Sequence, residues 1–154
     1  MVHLIPQYLV ALVGIVVGFA LGWLVVMMTN RRVSDERRLT ASDARLTIPL
    51  LLGAAGAHLV LIPVVELQRE VMFGCYAVAL IVTVAFAIAG LGIWRLGAIV
   101  LPAGSILAYA YFAVIGHQAD VAGLAVKAVE LAAIAAALWS LVAANRKHRA
   151  PATA

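Results

Sequence analysis

The chain has little charge and almost no cysteine. Of its 154 residues, 11 are Lys or Arg and 7 are Asp or Glu, so 12% are charged, whereas soluble domains carry about 25%. The single cysteine, Cys75, excludes an intramolecular disulfide and any Cys-x-x-Cys redox or zinc motif. The dithiol oxidoreductases of membranes are therefore excluded.

The sequence also lacks the common motifs of catalysis and cofactor binding. It contains no Gly-x-Gly-x-x-Gly, P-loop, Gly-x-Ser-x-Gly or His-Glu-x-x-His pattern. Nothing in it argues for an enzyme, and we predict no cofactor. The pI of about 9.7 does not indicate nucleic-acid binding, because the basic residues cluster at the ends of apolar runs, where membrane topology explains them.

Long apolar runs dominate the chain instead, and 66% of its residues are hydrophobic. A membrane-crossing helix needs about 20 apolar residues, and the runs approach or reach that length. We therefore predict one all-α transmembrane domain, a polytopic bundle with five spans. The predicted spans are residues 8–28, 46–65, 71–94, 98–116 and 121–144, with a loop at 29–45 and a tail at 145–154.

The basic residues predict the orientation of the bundle. If the N-terminus lies outside and the spans alternate, nine of the 11 basic residues fall on the inner side and the C-terminus is cytoplasmic. The nine are Arg31, Arg32, Arg37, Arg38, Arg45, Arg95, Arg146, Lys147 and Arg149. The opposite orientation would place them outside, against the positive-inside rule.

Three glycines form a stripe on the first predicted span. Gly14, Gly18 and Gly22 recur every four residues and therefore share one helix face. Such a face lets a second helix approach closely. The partner is either a neighbouring span of the same chain or a second copy of the chain, and the motif alone does not decide between them.

The fifth span carries two charges, Lys127 and Glu130. Either charge placed in hydrocarbon costs at least about 2.5 kcal/mol. Because the residues are three apart, both project on one side of a helix. That side must meet protein or water, so the other spans are expected to cover it.

Other polar residues fall at a similar depth, in the outer half of the predicted bundle. At about 1.5 Å per residue, Lys127 lies about 9 Å and Glu130 about 13 Å below the start of its span. We predict a cluster of ligand- or proton-binding candidates with an outer rim. The candidates are His58, Tyr109, Tyr111, Lys127 and Glu130, and the rim is Glu66, Glu70, His117 and Asp120. The alternative is that the cluster only holds the helices together.

A metal or haem site is a remote alternative. The histidine and carboxylate residues could in principle supply nitrogen and oxygen ligands, but no pair has a strong ligand spacing. His58 and His117 could be axial haem ligands only if they lay at the same depth, and His117 falls near the surface. We therefore predict no metal site.

One resemblance concerns His58, Pro63 and Glu66 in the second span and the segment Lys-Ala-Val-Glu-Leu at 127–131. With the Ala-, Val- and Arg-rich composition, this pattern resembles uncharacterised small polytopic membrane proteins of actinobacteria. The resemblance implies a bacterial cytoplasmic (inner) membrane location, multi-pass, and implies no activity.

The expected function is that of a non-enzymatic membrane protein. The small size, the short loops and the glycine stripe favour an accessory or assembly subunit, or a small-ligand-binding module, of a larger membrane complex. Its expected partners are the lipid bilayer and either a second copy or a larger membrane protein, with no nucleic acid. The alternative is a compact small-solute or proton-coupled transporter, although transporters usually contain internal repeats that this sequence lacks.

Overall fold

The computed structural model is all-helical over the part of the chain that it describes, residues 6–32, 44–64, 67–115 and 120–149. The helices are α1 (Gln7–Arg32), α2 (Thr47–Leu61), α3 (Leu67–Ile88), α4 (Trp94–Val114) and α5 (Val121–Arg149), with a 3₁₀ turn at Ile62–Val64. Four of them, α1, α3, α4 and α5, are long and apolar enough to cross a membrane. The predicted all-α, membrane-type architecture is confirmed at this level.

Consecutive helices run antiparallel, so the bundle has two ends. We call one the Asp120 end, where α1, α3 and α5 begin, and the other the Arg95 end, where α2 and α4 begin. The antiparallel packing of α4 and α5 is seen from contacts at both ends, Tyr109 with Asp120 and Arg95 with Ser140.

The short helix α2 lies at the centre of the bundle and contacts α1, α3 and α5. Ten of its 15 residues are buried, and most of these are small or aliphatic. The other buried residues of α2 are Thr47, Pro49 and His58. Because most of its buried side chains are small, α2 packs closely against its three neighbours. It therefore forms the core on which the longer helices pack.

The glycine stripe of α1 packs against α2. A Cβ atom on Gly18 would overlap the backbone carbonyl of Leu52, and one on Gly22 would lie 2.5 Å from Pro49 Cα. Gly14 is equally close to Val60 and to the backbone of α2. The stripe thus permits backbone-to-backbone contact within one chain, and its partner is α2.

The boundary between α3 and α4 differs from the sequence prediction, which ended the third span at residue 94 and began the fourth at 98. In the structure α3 ends at Ile88 and α4 begins at Trp94. Gly90 has φ +73°, and the N–H of Leu91 donates to the carbonyl of Phe86 while that of Gly90 donates to Ala87. This is a Schellman helix end, which requires a residue that tolerates positive φ. Hydropathy stays high through the turn and conceals it.

Two further boundaries differ. The predicted second span reaches residue 65, but α2 ends at Leu61 and continues as the 3₁₀ turn that contains Pro63. The third span was predicted to begin at residue 71, whereas α3 begins at Leu67, so Glu70 lies in its first turn.

Candidate functional site

The candidate site lies where α2, α3, α4 and α5 meet, toward the Asp120 end. Each helix contributes polar side chains to a cluster that we call the Glu130 cluster. Its members are His58 from α2, Tyr76 from α3, Ser105 from α4, and Lys127 with Glu130 from α5.

Glu130 is the centre of the cluster, and its side chain is 0% exposed. Its Oε2 accepts from Lys127 Nζ at 2.8 Å, and its Oε1 accepts from the Ser105 hydroxyl at 3.1 Å. Lys127 Nζ also donates to Ser105 Oγ at 2.5 Å. Because Lys127 and Glu130 are one helical turn apart, α5 itself places the ammonium against the carboxylate.

His58 occupies the other side of the carboxylate. Its Nδ1 lies 2.8 Å from the carbonyl oxygen of Ala54, one turn earlier in α2. Its Nε2 lies 3.8 Å from Glu130 Oε1. Phe73 and Tyr76 of α3 pack edge-on against the imidazole, with ring centroids 5.0 and 4.7 Å away. The ring is therefore held by contacts on both its edges and its faces.

Tyr76 completes the cluster. Its hydroxyl oxygen is buried within reach of Glu130 and Ser105, but it forms no hydrogen bond of good geometry with either. A buried hydroxyl without a partner loses its interaction with water and gains nothing in return. Among the described residues of the cluster, the Tyr76 hydroxyl is thus a buried polar group without a well-formed hydrogen bond.

Tyr109 and Asp120 form a separate contact at the Asp120 end. The Tyr109 hydroxyl accepts from the Asp120 N–H at 3.1 Å and donates to the Asp120 carbonyl at 3.2 Å. The Asp120 carboxylate accepts from the N–H of Gly123, so it caps the start of α5. Lys127 Nζ lies 5.8 Å from the Tyr109 ring centroid, which places this contact next to the Glu130 cluster.

Replacing Tyr109 by phenylalanine is expected to destabilise the protein by about 1 kcal/mol, because both hydrogen bonds to Asp120 are lost. Tyr111→Phe is the matched control. Tyr111 is 63% exposed and contacts the ring of Phe112. The free energy of unfolding of both variants is measured by titrating dodecyl sulfate into detergent micelles. Equal stability of Tyr109→Phe and Tyr111→Phe would show that the Tyr109 hydroxyl does not join α4 to α5.

The structure therefore brings together some of the predicted residues and separates others. His58, Lys127 and Glu130 meet, and Tyr109 lies beside them. Tyr111 points away from the cluster, and its predicted membership is corrected: residues 109 and 111 are two apart on a helix, so they project on different faces. Of the predicted rim, Asp120 and Glu70 are described, and Glu66 and His117 lie outside the described residues.

Sequence reasoning missed Ser105 and Tyr76. Ser105 precedes Tyr109 by four residues, so the two share a face of α4, and this spacing was a readable signal. Tyr76 stands in an apolar segment with no comparable spacing to another predicted residue. Only the packing of α3 against α2 shows that it reaches the cluster.

The Arg95 end carries a second, smaller polar contact. Arg95 Nε donates to the buried hydroxyl of Ser140 at 3.2 Å, and Ser140 donates to the carbonyl of Ala137. The Arg95 guanidinium lies 5.0 Å from a Trp94 ring centroid. Trp94 itself is only 4% exposed and packs in the core between helices.

The donor set of the Glu130 cluster does not resemble a metal site. Among the described residues, no three His, Cys, Asp or Glu side chains are grouped as ligands would be. In addition, the Lys127 ammonium already occupies one carboxylate oxygen of Glu130. The haem alternative required His117, which lies outside the described residues.

No protein-family model, curated protein or solved structure matches this chain. The resemblance to small actinobacterial membrane proteins stays an expectation. What the chain does must be inferred from its own geometry.

Proposed function

We propose that the chain is a five-span protein of the bacterial cytoplasmic membrane, with its N-terminus outside and its C-terminus in the cytoplasm. In this orientation the Arg95 end is cytoplasmic, and nine of the 11 basic residues lie on that side. The large apolar surfaces of α1, α3 and α4 favour a lipid environment.

The fifth span of this proposal is the short helix α2. At about 1.5 Å per residue its 15 residues extend about 22 Å, less than the roughly 30 Å of a hydrocarbon core. The 3₁₀ turn at Ile62–Val64 adds about 6 Å. Because three neighbouring helices cover α2, its ends need not reach the lipid headgroups.

Cysteine labelling tests the orientation. In a Cys75→Ala background, a cysteine in place of Gln68 is expected to react with an impermeant maleimide in intact cells, and one in place of Ser34 is expected to react only after permeabilisation. The native Cys75 is exposed and must be removed first. Labelling of the Ser34 position in intact cells would contradict the orientation.

We further propose that the protein is non-enzymatic and acts as an accessory or assembly subunit of a larger membrane complex. The accessory role is supported by the tightly packed apolar side chains that separate the Glu130 cluster from the Arg95 end. On α5 the buried face continues as Ala133 and Ala137, and Leu51 and Leu80 are fully buried in the same core. Thr83 is a buried polar residue in this layer, and its hydroxyl donates to the carbonyl of Ala79 in its own helix. A carrier needs access from both sides, which apolar packing of this kind does not favour.

Purification in mild detergent from native membranes tests the accessory role. The tagged chain is expected to elute with a larger membrane protein in a fixed stoichiometric ratio, and a Gly104→Ala variant, altered only at an open position of α4, is expected to do the same. Elution of the chain by itself would contradict the role. Proton-coupled uptake by vesicles that contain only this chain would favour the carrier instead.

A further inference from the structure

The orientation of the His58 ring determines which of its nitrogens can take up a proton. Nδ1 lies 2.8 Å from the carbonyl oxygen of Ala54. A carbonyl oxygen only accepts hydrogen bonds, so Nδ1 carries the hydrogen in this contact. In the neutral ring the other nitrogen, Nε2, then has no hydrogen and offers a lone pair.

That lone pair lies opposite a carboxylate oxygen. Nε2 is 3.8 Å from Glu130 Oε1, and two groups that only accept cannot bond to one another. One added proton changes the contact from an unfavourable one to an attraction between opposite charges. We propose that His58 Nε2 and Glu130 Oε1 form a proton-binding site with a capacity of one proton.

The surroundings of the pair fit this assignment. From α5, Lys127 donates to the other oxygen of Glu130, and from α4, Ser105 donates to Oε1. From α3, the Tyr76 hydroxyl lies beside the carboxylate without good hydrogen-bond geometry. From α1, the ionisable residues in the described range are Tyr8, Arg31 and Arg32, all near the ends of that helix. Lys127 and Glu130 neutralise each other, so the proton gives the cluster one net positive charge.

Uptake of the proton forms one N–H bond at Nε2 and transfers no electrons. The Asp120 end is the nearer source, because Lys127 and Glu130 lie seven and ten residues from Asp120 in a helix that runs on to Arg149. The site does not depend on the accessory role proposed above, since a structural subunit and a carrier could both contain it.

Nitrogen NMR of a protein with a single histidine tests the proposal. The variant His3→Gln/His117→Gln/His148→Gln keeps only His58 and is labelled with ¹⁵N-histidine in lipid nanodiscs. At the upper end of a titration between about pH 3 and 8, which is extended downward because burial disfavours a charged imidazole, Nδ1 is expected to be protonated and Nε2 bare. As the pH falls, Nε2 is expected to become protonated while Nδ1 remains so.

Adding Glu130→Gln to this variant isolates the role of the carboxylate. The midpoint of Nε2 protonation is then expected at a proton concentration at least tenfold higher, because the negative charge that faces the ring is gone. If that variant does not fold, Lys127→Met/Glu130→Gln is compared with Lys127→Met, so that both lack the ammonium, and the variant without the carboxylate is again expected to need the lower pH. Tyr111→Phe is the control and is expected to titrate as the parent does.

Three results would overturn the proposal. They are a neutral ring with its hydrogen on Nε2, a ring that does not titrate in this range, and a midpoint that is unchanged when Glu130 is replaced. The first would show that the Ala54 contact does not set the tautomer, and the other two would show that no proton is shared with Glu130. None of these results bears on co-purification with a partner, so the two proposals fail independently.

Discussion

Glu130→Leu is expected to lower the free energy of unfolding by about 3–5 kcal/mol, the range for breaking a buried ion pair by removing one partner. The Glu130 side chain is fully buried, and its carboxylate lies 2.8 Å from the Lys127 ammonium. Without the carboxylate, the partners that remain to Lys127 among the described residues are the Ser105 hydroxyl and the more distant ring of Tyr109. The cost comes from the stranded ammonium and not from lost packing, because leucine fills a similar volume.

The double variant Lys127→Leu/Glu130→Leu should recover most of that stability, since no unpaired charge remains. His58→Leu/Glu130→Leu should not recover it, because Lys127 is still stranded. The distances make this distinction: Lys127 Nζ is 2.8 Å from the carboxylate, whereas His58 Nε2 is 3.8 Å away. Titration with dodecyl sulfate in mixed micelles measures wild type and all three variants.

The reverse pattern, rescue by the His58 double variant alone, would mean that Lys127 extends to the aqueous surface and His58 is the true partner. Wild-type stability of Glu130→Leu would mean that Glu130 is not a buried charge.

Gly18→Leu is expected to destabilise the bundle by about 4 kcal/mol or more, a size that single substitutions reach only through severe clashes or stranded groups. Even the first added carbon would overlap the Leu52 carbonyl of α2. The overlap is with backbone, so a change of rotamer cannot relieve it and α1 must move away from α2. Because α2 also holds His58, this displacement is expected to disturb the Glu130 cluster.

Gly104→Leu is the matched control. Gly104 also lies within a long apolar helix, but a Cβ atom there meets nothing within 4 Å. Its replacement should leave the dodecyl sulfate midpoint within the error of wild type. Similar losses for both variants would mean that glycine matters for helix propensity or insertion and not for close packing between α1 and α2.

The predictable parts of the site follow from local spacing. Lys127 and Glu130 share a helix face because they are three residues apart, and both needed cover because charge is costly in hydrocarbon. His58 could be matched to them by depth alone. Tyr111 shows the limit of reasoning from depth alone. It lies at a suitable depth, but it projects from a different face of α4 and does not join the cluster.

The turn between α3 and α4 shows a second limit. Hydropathy stays high from Ile88 through Ile93, so an apolar run cannot be divided by composition alone. Gly90 marks the end of α3 instead, because a glycine can adopt the positive φ that a Schellman helix end requires. The same residue type in α1 has a different role, since Gly18 is inside a helix and serves close packing.

The sequence by itself determined that the protein is helical and apolar, and that one helix carries a charge pair in need of cover. These properties depend on composition and on spacing within one helix, where geometry is regular. Only the tertiary structure decided that α2 is the partner of the glycine stripe, and that Ser105 and Tyr76 join Glu130. Such contacts join residues from different helices, and they depend on how each helix is rotated about its axis, which packing of all five helices sets together.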